Sequence, residues 1–297
     1  MEPLAELRSL ISAHCGSHLT PLPGLRLVAS AAPTPPVNVV SEPAFAVVAQ
    51  GGKRAVLGDK LFDYSAGQYL VVSVDLPIVS HVVRASPEEP YLAFRLNLRP
   101  EAIATLLLEA SLGELSVSEP AGMAVSDAPA ELLDSIIRLI RLIDRPGDAA
   151  VLGPMLEREI LWRLLTGEQG AMVRQIGLID SRLSQIGRAI RWIRTHYAEI
   201  LKIEDLAGAA GVSPSTFYRN FRAVTAMSPV QYQKQIRLLE ARARLFSRTG
   251  DVAAVGFDVG YDSPSQFSRE YSRMFGASPG RDAARLRAEP MPEQGVA

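Results

Sequence analysis

One short text occurs twice in this chain. Residues 213–229 read SPSTFYRNFRAVTAMSP and residues 263–279 read SPSQFSREYSRMFGASP. In each copy a serine, Ser213 or Ser263, stands before a proline, Pro214 or Pro264. That pair predicts a helix start: the serine caps, and the proline takes the first helical position, where its missing N–H loses nothing. Phe217, Phe221 and Val224, and likewise Phe267, Tyr271 and Met274, follow at i, i+4, i+7 and fall on one helix face. Those are the expected core faces. The opposite faces carry Ser215, Arg219 and Arg222 in the first copy and Ser265, Arg269 and Arg273 in the second.

A short segment rich in small residues precedes each copy, IEDLAGAAGV in one case and DVAAVGFDVGY in the other. Ala207, Ala210, Ala254, Gly256 and Gly260 let helix backbones approach closely, while Gly211 or Gly260 supplies the positive φ of a sharp turn. Two short helices, a glycine turn and an outward polar second helix predict helix-turn-helix motifs at about 203–222 and 251–273. Between them PVQYQKQIRLLEARARLFSRTG runs unbroken from Pro229, with Ser228 as cap and Gly250 as stop. About 20 helical residues span roughly 30 Å, close to the roughly 34 Å between successive major-groove faces of B-DNA. The long helix therefore reads as a spacer between two reader helices. Two copies are too few for a stacked repeat array, which generally needs three or more.

Charge divides the chain at the same place. From Arg188 to Arg287 there are 16 Lys plus Arg against 9 Asp plus Glu, about +7, while the rest carries about −8 of a net −1. A basic C-terminal third suits a polyanionic partner.

The N-terminal part has a different character. From about Leu25 to Leu98, runs such as FAVVAQ and QYLVVSVDL alternate with GGKR, LGDK and YSAGQ. These are strand and turn signals for a small antiparallel barrel or sandwich. From Pro100 the period becomes helical. In ELLDSIIRLIRLID, Leu133, Ile136, Ile137, Ile140 and Ile143 form one stripe that Leu132, Leu139 and Leu142 widen. A helix so broadly apolar needs cover on two sides, and a second subunit is one expected source. A turn at DRPGD and a helix over GPMLEREILWRLLTG come next, and GEQGAMVRQIG, at 167–177, reads as a linker.

With 297 residues, 47% of them apolar, the chain has material for two domains. The start MEPLAELRSL lacks the blocks of a secretory signal, no apolar run reaches the roughly 18 residues of a membrane span, and a cytoplasmic location is expected. Cys15 is the single cysteine, which excludes an internal disulfide or a multi-cysteine zinc site. His14, Cys15 and His18 in HCGSH invite a metal reading, but Gly16 weakens the helix that would align them and no third ligand is evident. Neither a metal nor a cofactor is expected.

The block from about Ile186 to Leu286, above all VGFDVGYDSPSQFSREYSRMFGASP, resembles the DNA-binding domain of the AraC/XylS family of bacterial transcription regulators. Upstream, PGLRLVASAAPTPPVNVVSEP, VVAQGGKRAVLGDKLFDYSAGQYLVVSVDLP and ASPEEPYLAFRLNL resemble the N-terminal domain of one subgroup, a cupin-like β domain that senses a small effector. The resemblance implies an α+β two-domain fold. Its first domain, 1–166, senses effector and dimerises, with a β barrel at about 25–98 and a helical layer at about 100–166. A linker at 167–185 leads to an all-α DNA-binding domain at 186–287, in which a long helix joins two helix-turn-helix motifs, and 288–297 is a disordered tail. The implied partners are duplex DNA, a small-molecule effector, a second subunit and, for an activator, RNA polymerase.

The expected DNA-contacting residues are Ser215, Thr216, Tyr218, Arg219 and Arg222 in the first unit, and Ser265, Gln266, Ser268, Arg269 and Arg273 in the second. Tyr64, Tyr69 and His81 are candidates for an effector cavity, because each lies in or beside a strand-like run and offers a polar handle on an apolar body. His81 is the only histidine of the β region, so a metal-dependent cupin reaction lacks its histidine pair. A repair methyltransferase is excluded by the cysteine count, and no catalytic residue stands out. The alternative is a non-metal cupin-type enzyme fused to a DNA-binding module.

Overall fold

The computed structural model describes residues 2–15, 22–110, 121–178, 181–247 and 251–288. Helix α1 (Pro3–His14) precedes strands β1 (Leu25–Ser30), β2 (Val37–Ser41), β3 (Ala44–Gln50), β4 (Gly52–Leu57), β5 (Lys60–Ser65), β6 (Gln68–Val72), β7 (Leu76–Arg84) and β8 (Tyr91–Asn97). Helix α2 (Pro100–Ala110), strand β9 (Met123–Asp127) and helices α3 (Ala130–Arg141), α4 (Pro146–Thr166) and α5 (Gly170–Gly177) follow. The C-terminal part is helical throughout: α6 (Arg182–Thr195), α7 (Ile203–Ala209), α8 (Pro214–Thr225), α9 (Pro229–Ser247), α10 (Val252–Asp258), α11 (Pro264–Phe275) and α12 (Pro279–Ala288).

The strands form two antiparallel sheets, ordered β1-β8-β3-β6-β9 and β2-β7-β4-β5. Central β3, AFAVVAQ, is apolar along nearly its whole length because it is covered on both faces. Phe45, Tyr69 and Phe94 share one face of the five-stranded sheet, with edge-on ring contacts of Phe45 to Tyr69 at 5.5 Å and to Phe94 at 6.1 Å. This is the helix-facing side: Gln169, just before α5, bonds to Ser126, the cross-strand partner of Tyr69. The opposite face turns toward the four-stranded sheet.

Several details differ from the sequence reading. Strand β9 lies within the stretch expected to be helical and extends the sheet along β6, from Gln68↔Asp127 to Val72↔Met123. Helix α4 begins at Pro146, inside the expected turn, and carries Pro154 in its interior. Residues 170–177, expected as linker, form α5 with Met172, Val173 and Ile176 buried. The broad apolar face of α3 is covered within the chain, by α1 on one flank and α4 on the other, and Ile136 and Ile140 are fully buried. Of the stripe, Ile143 alone is half-buried rather than buried. The expected tail and the stop at Gly250 lie outside the described residues, apart from Ala288, which ends α12.

Two hydrophobic cores result. The larger runs from the sheets through α3 and α6 into α8, taking in Phe217, Phe221 and Tyr232. The smaller collects Leu238, Leu245, Val259, Phe267 and Tyr271 around α11. The first helix-turn-helix unit thus shares its core with the β region, whereas the second has its own.

Candidate nucleic-acid interface

Each reader helix starts as its local sequence requires. The Ser213 and Ser263 hydroxyls accept from the backbone N–H of Thr216 and Gln266, and a proline occupies the first turn in both. The turns are made by Gly211 at φ +69° and Gly260 at φ +91°, a region that side chains beyond Cα disfavour. Gly256 allows close approach in the second unit, since a Cβ there would lie 3.0 Å from the Phe267 ring. Phe217, Phe221, Val224, Phe267 and Tyr271 are buried, and Met274 is half-buried.

The faces turned away from these cores hold the predicted residues. Ser215, Tyr218, Arg219, Arg222, Ser265, Gln266, Arg269 and Arg273 are exposed, while Thr216 and Ser268 are half-buried. Some have intramolecular commitments: Ser215 and Ser265 meet their capping serines at 3.2 and 2.9 Å, Thr216 Oγ1 accepts from Ser213 at 3.0 Å, and Gln266 Nε2 donates to Glu270 at 3.3 Å. The guanidinium groups of Arg219, Arg222, Arg269 and Arg273 have no hydrogen-bond or ion-pair partner among the described residues.

Nearby cations are engaged in holding the scaffold, a role the sequence reading did not assign. From α9, Arg237 donates to the carbonyls of Tyr197 (2.6 Å), Glu199 (2.9 Å) and Gly260 (2.6 Å), and Gln233 to those of Tyr197 and Glu199. These bonds tie the helix between the units to the segment after α6 and to the second glycine turn. Lys234 pairs with Glu270 at 2.9 Å, and Tyr261 donates to the same carboxylate at 2.8 Å. Burial would raise Glu270, but the bonds from Lys234, Tyr261 and Gln266 prevail and hold it below the usual carboxylate range. Arg242 at 2.8 Å, Tyr271 at 2.9 Å and Arg285 at 2.7 Å converge on buried Asp282, fastening α12 to α9 and α11. Apart from Arg285–Asp282 at i,i+3 and Gln266–Glu270 at i,i+4, this pairing joins separate elements and leaves no local pattern. The contrast is chemical: arginines facing inward are neutralised or bonded to carbonyls, and those on the reader faces present unneutralised charge to solvent, as phosphate or guanine contacts require.

The effector candidates are dispersed. Tyr64 is buried and faces the space between the sheets, while Tyr69 lies on the helix-facing side. His81 stands on the outer face of β7 beside Arg54. In HCGSH, His14 bonds Asp144 at 2.9 Å and the Leu10 carbonyl at 2.8 Å, Cys15 lies against the Ser12 carbonyl, and His18 is outside the described residues. Among the described residues no group of three or more His, Cys, Asp and Glu is placed to hold a metal ion. Among them, too, no helix is long and apolar enough to cross a membrane.

Fold and site together define a paired helix-turn-helix protein joined to a two-sheet β region. Residues 21–172 match the family model of the AraC-type transcriptional regulator N-terminus, and residues 206–285 match a helix-turn-helix domain. The chain belongs to the AraC family of transcription regulators. It is 28% identical over 159 residues to the HTH-type transcriptional activator RhaS of Escherichia fergusonii, a match covering 51% of this chain and 56% of RhaS. The chain spans about half the length of the curated relatives it matches. ToxT from Vibrio cholerae O395 shares the fold with a TM-score of 0.54 at 8% identity, over 90% of this chain and 99% of that one. Unsaturated fatty acid bound wild-type ToxT from Vibrio cholerae strain SCE256 gives 0.55 at 8% identity, over 91% and 96%.

Proposed function

We propose that this chain is a sequence-specific transcription regulator that sets α8 and α11 into successive major-groove faces of operator DNA, under control of a small molecule bound in the β region. The observation that carries this reading is the unpartnered arginine quartet on two identically capped, outward helix faces. Helix α9, at 19 residues, is about 28 Å long. That length suits readers about one turn of duplex apart. Binding to duplex DNA should fall steeply with salt, with a log–log slope of several units for the phosphates neutralised. Salt-insensitive binding would defeat the reading.

Duplex DNA, RNA polymerase if the protein activates, and a second copy of the chain are its partners in the cytoplasm. With the α3 face covered, the dimer surface we propose is the exposed apolar side of α2 and α4, where Leu108, Val151 and Met155 are 83%, 62% and 62% exposed. The alternative, a non-metal cupin-type enzyme fused to the DNA-binding part, predicts turnover by the purified full chain in a substrate screen.

A further inference from the structure

The two reader helices differ at one pair of matched positions. In α8 they are Thr216 and Asn220, and in α11 they are Gln266 and Glu270, one helical turn apart. Gln266 is the third residue of α11, its backbone N–H held by the Ser263 cap and its side chain exposed on the reader face. Residues in this first turn are the ones a recognition helix brings to base edges. The Gln266 amide is not free to turn over, because its Nε2 donates to Glu270 Oε1 at 3.3 Å.

Glu270 is itself held from two other elements. Its carboxylate receives Lys234 of α9 at 2.9 Å and the Tyr261 hydroxyl, ahead of α11, at 2.8 Å, and its side chain is 16% exposed. Those donors keep the group ionised. A carboxylate only accepts, so the end of the Gln266 amide that meets it must be the NH2. Turning the amide over would set its carbonyl oxygen against the negative charge of Glu270. An unrestrained glutamine offers a base either end of its amide, whereas this one keeps its oxygen, with the second N–H, for the partner.

We infer that Glu270 is a positioning residue that fixes the Gln266 amide to read adenine, so that α11 requires an A·T pair where Gln266 enters the groove. This rests on the regulator reading above and adds the base read at one position. Adenine offers its N6–H to the amide oxygen and its N7 to the remaining N–H. Guanine offers acceptors at both O6 and N7, which places O6 against the fixed oxygen, and cytosine offers a donor alone. Thr216 in α8 carries no such constraint, since a hydroxyl both donates and accepts.

The test selects preferred sites from a random duplex library with the full chain, then repeats the selection with Gln266→Ala, Glu270→Gln, the two combined, and Tyr261→Phe. The wild type should prefer A·T over G·C by about tenfold or more at one position, and Gln266→Ala should abolish that preference. The new amide in Glu270→Gln both accepts and donates, so it tolerates either orientation of Gln266. The preference should then fall to about threefold or less while the other positions keep theirs. The combined variant should match Gln266→Ala at that position. Tyr261→Phe removes a scaffold bond to the same carboxylate without touching Gln266, and should keep the preference. Should Glu270→Gln fail to fold by circular dichroism, Glu270→Gln with Lys234→Met, which leaves no unpaired charge, takes its place with the same expectation. A G·C pair at the position, no position that responds to Gln266→Ala, a preference untouched by the Glu270 variant, an equal loss in Tyr261→Phe, or a uniform loss across the whole site would each overturn the assignment. Titrations of the same proteins with duplex DNA across a salt series separate the two claims. Selective, salt-dependent binding with any of those results removes the adenine assignment alone, and binding that is neither selective nor salt-dependent removes the regulator reading.

Discussion

The phenolic hydroxyl of Tyr232 on α9 donates to the backbone carbonyl of Asp75, between β6 and β7, at 2.8 Å. The carboxylate of the same Asp75 pairs with Arg194 of α6 at 2.8 Å. One residue of the β region thus holds both the helix between the reader units and the helix leading into them. Gly58, in the β4–β5 turn at φ +61°, adds a third contact, since a Cβ there would come within 2.8 Å of the Ala226 carbonyl at the end of α8. Tyr232→Phe removes only the buried hydroxyl and should cost about 1 kcal/mol of stability. Gly58→Val should cost more, by combining strain with a clash. Urea unfolding followed by far-ultraviolet circular dichroism measures both, and a Gly58→Val protein as stable as the wild type would argue against this seam.

The two turn glycines should respond unequally despite their matched positions. A Cβ on Gly260 would lie 2.4 Å from the Ala198 carbonyl, whereas one on Gly211 meets nothing within 4 Å. Gly211→Ala should therefore cost about 1 kcal/mol, the penalty of a left-handed residue alone, and Gly260→Ala clearly more. Thermal midpoints of the two variants decide the order.

Much of the reader geometry is legible in sequence because it is local. A cap serine, its proline and the i, i+4, i+7 core residues lie within 12 residues, and α8 and α11 start where that pattern puts them. What depends on distant partners was hidden. Gly177 reads as linker, yet a Cβ there would meet Ile103 at 2.7 Å and the Ala104 amide nitrogen at 2.8 Å, so this glycine serves the packing of α5 on α2. The breadth of the α3 face was visible, but its cover, α1, is more than a hundred residues away in sequence. Tyr64 and Tyr69 look alike as text; strand register sends them to opposite sides of the β region.

Acid should loosen the second unit through Asp282. Burial would raise this carboxyl, but bonds from Arg242, Tyr271 and Arg285 overrule it and hold the pKa below the ordinary value. A depressed folded pKa contributes stability above the unfolded value of about 3.9 and loses it as pH falls through the folded one. Asp282→Asn should flatten that acid limb. At neutral pH it should cost on the order of 3 kcal/mol, because Arg242 keeps its charge without its partner. Denaturant midpoints from pH 7 down to pH 3 check both parts.

The dimer surface is tested by Met155→Glu, which places a charge on the exposed side of α4 and should reduce the sedimentation coefficient toward that of a monomer while leaving circular dichroism unchanged. Unchanged sedimentation of a dimeric protein would move the interface elsewhere.

The central claim, that α8 and α11 read separate stretches of one duplex, is met most directly by selecting preferred sites from a random duplex library with the full chain and then repeating the selection with Arg219→Ala and with Arg269→Ala. Each substitution should relax preference at its own base positions, about one helical turn from the other's, at about 1–3 kcal/mol per position. Site preferences identical to the wild type in both variants would contradict the account.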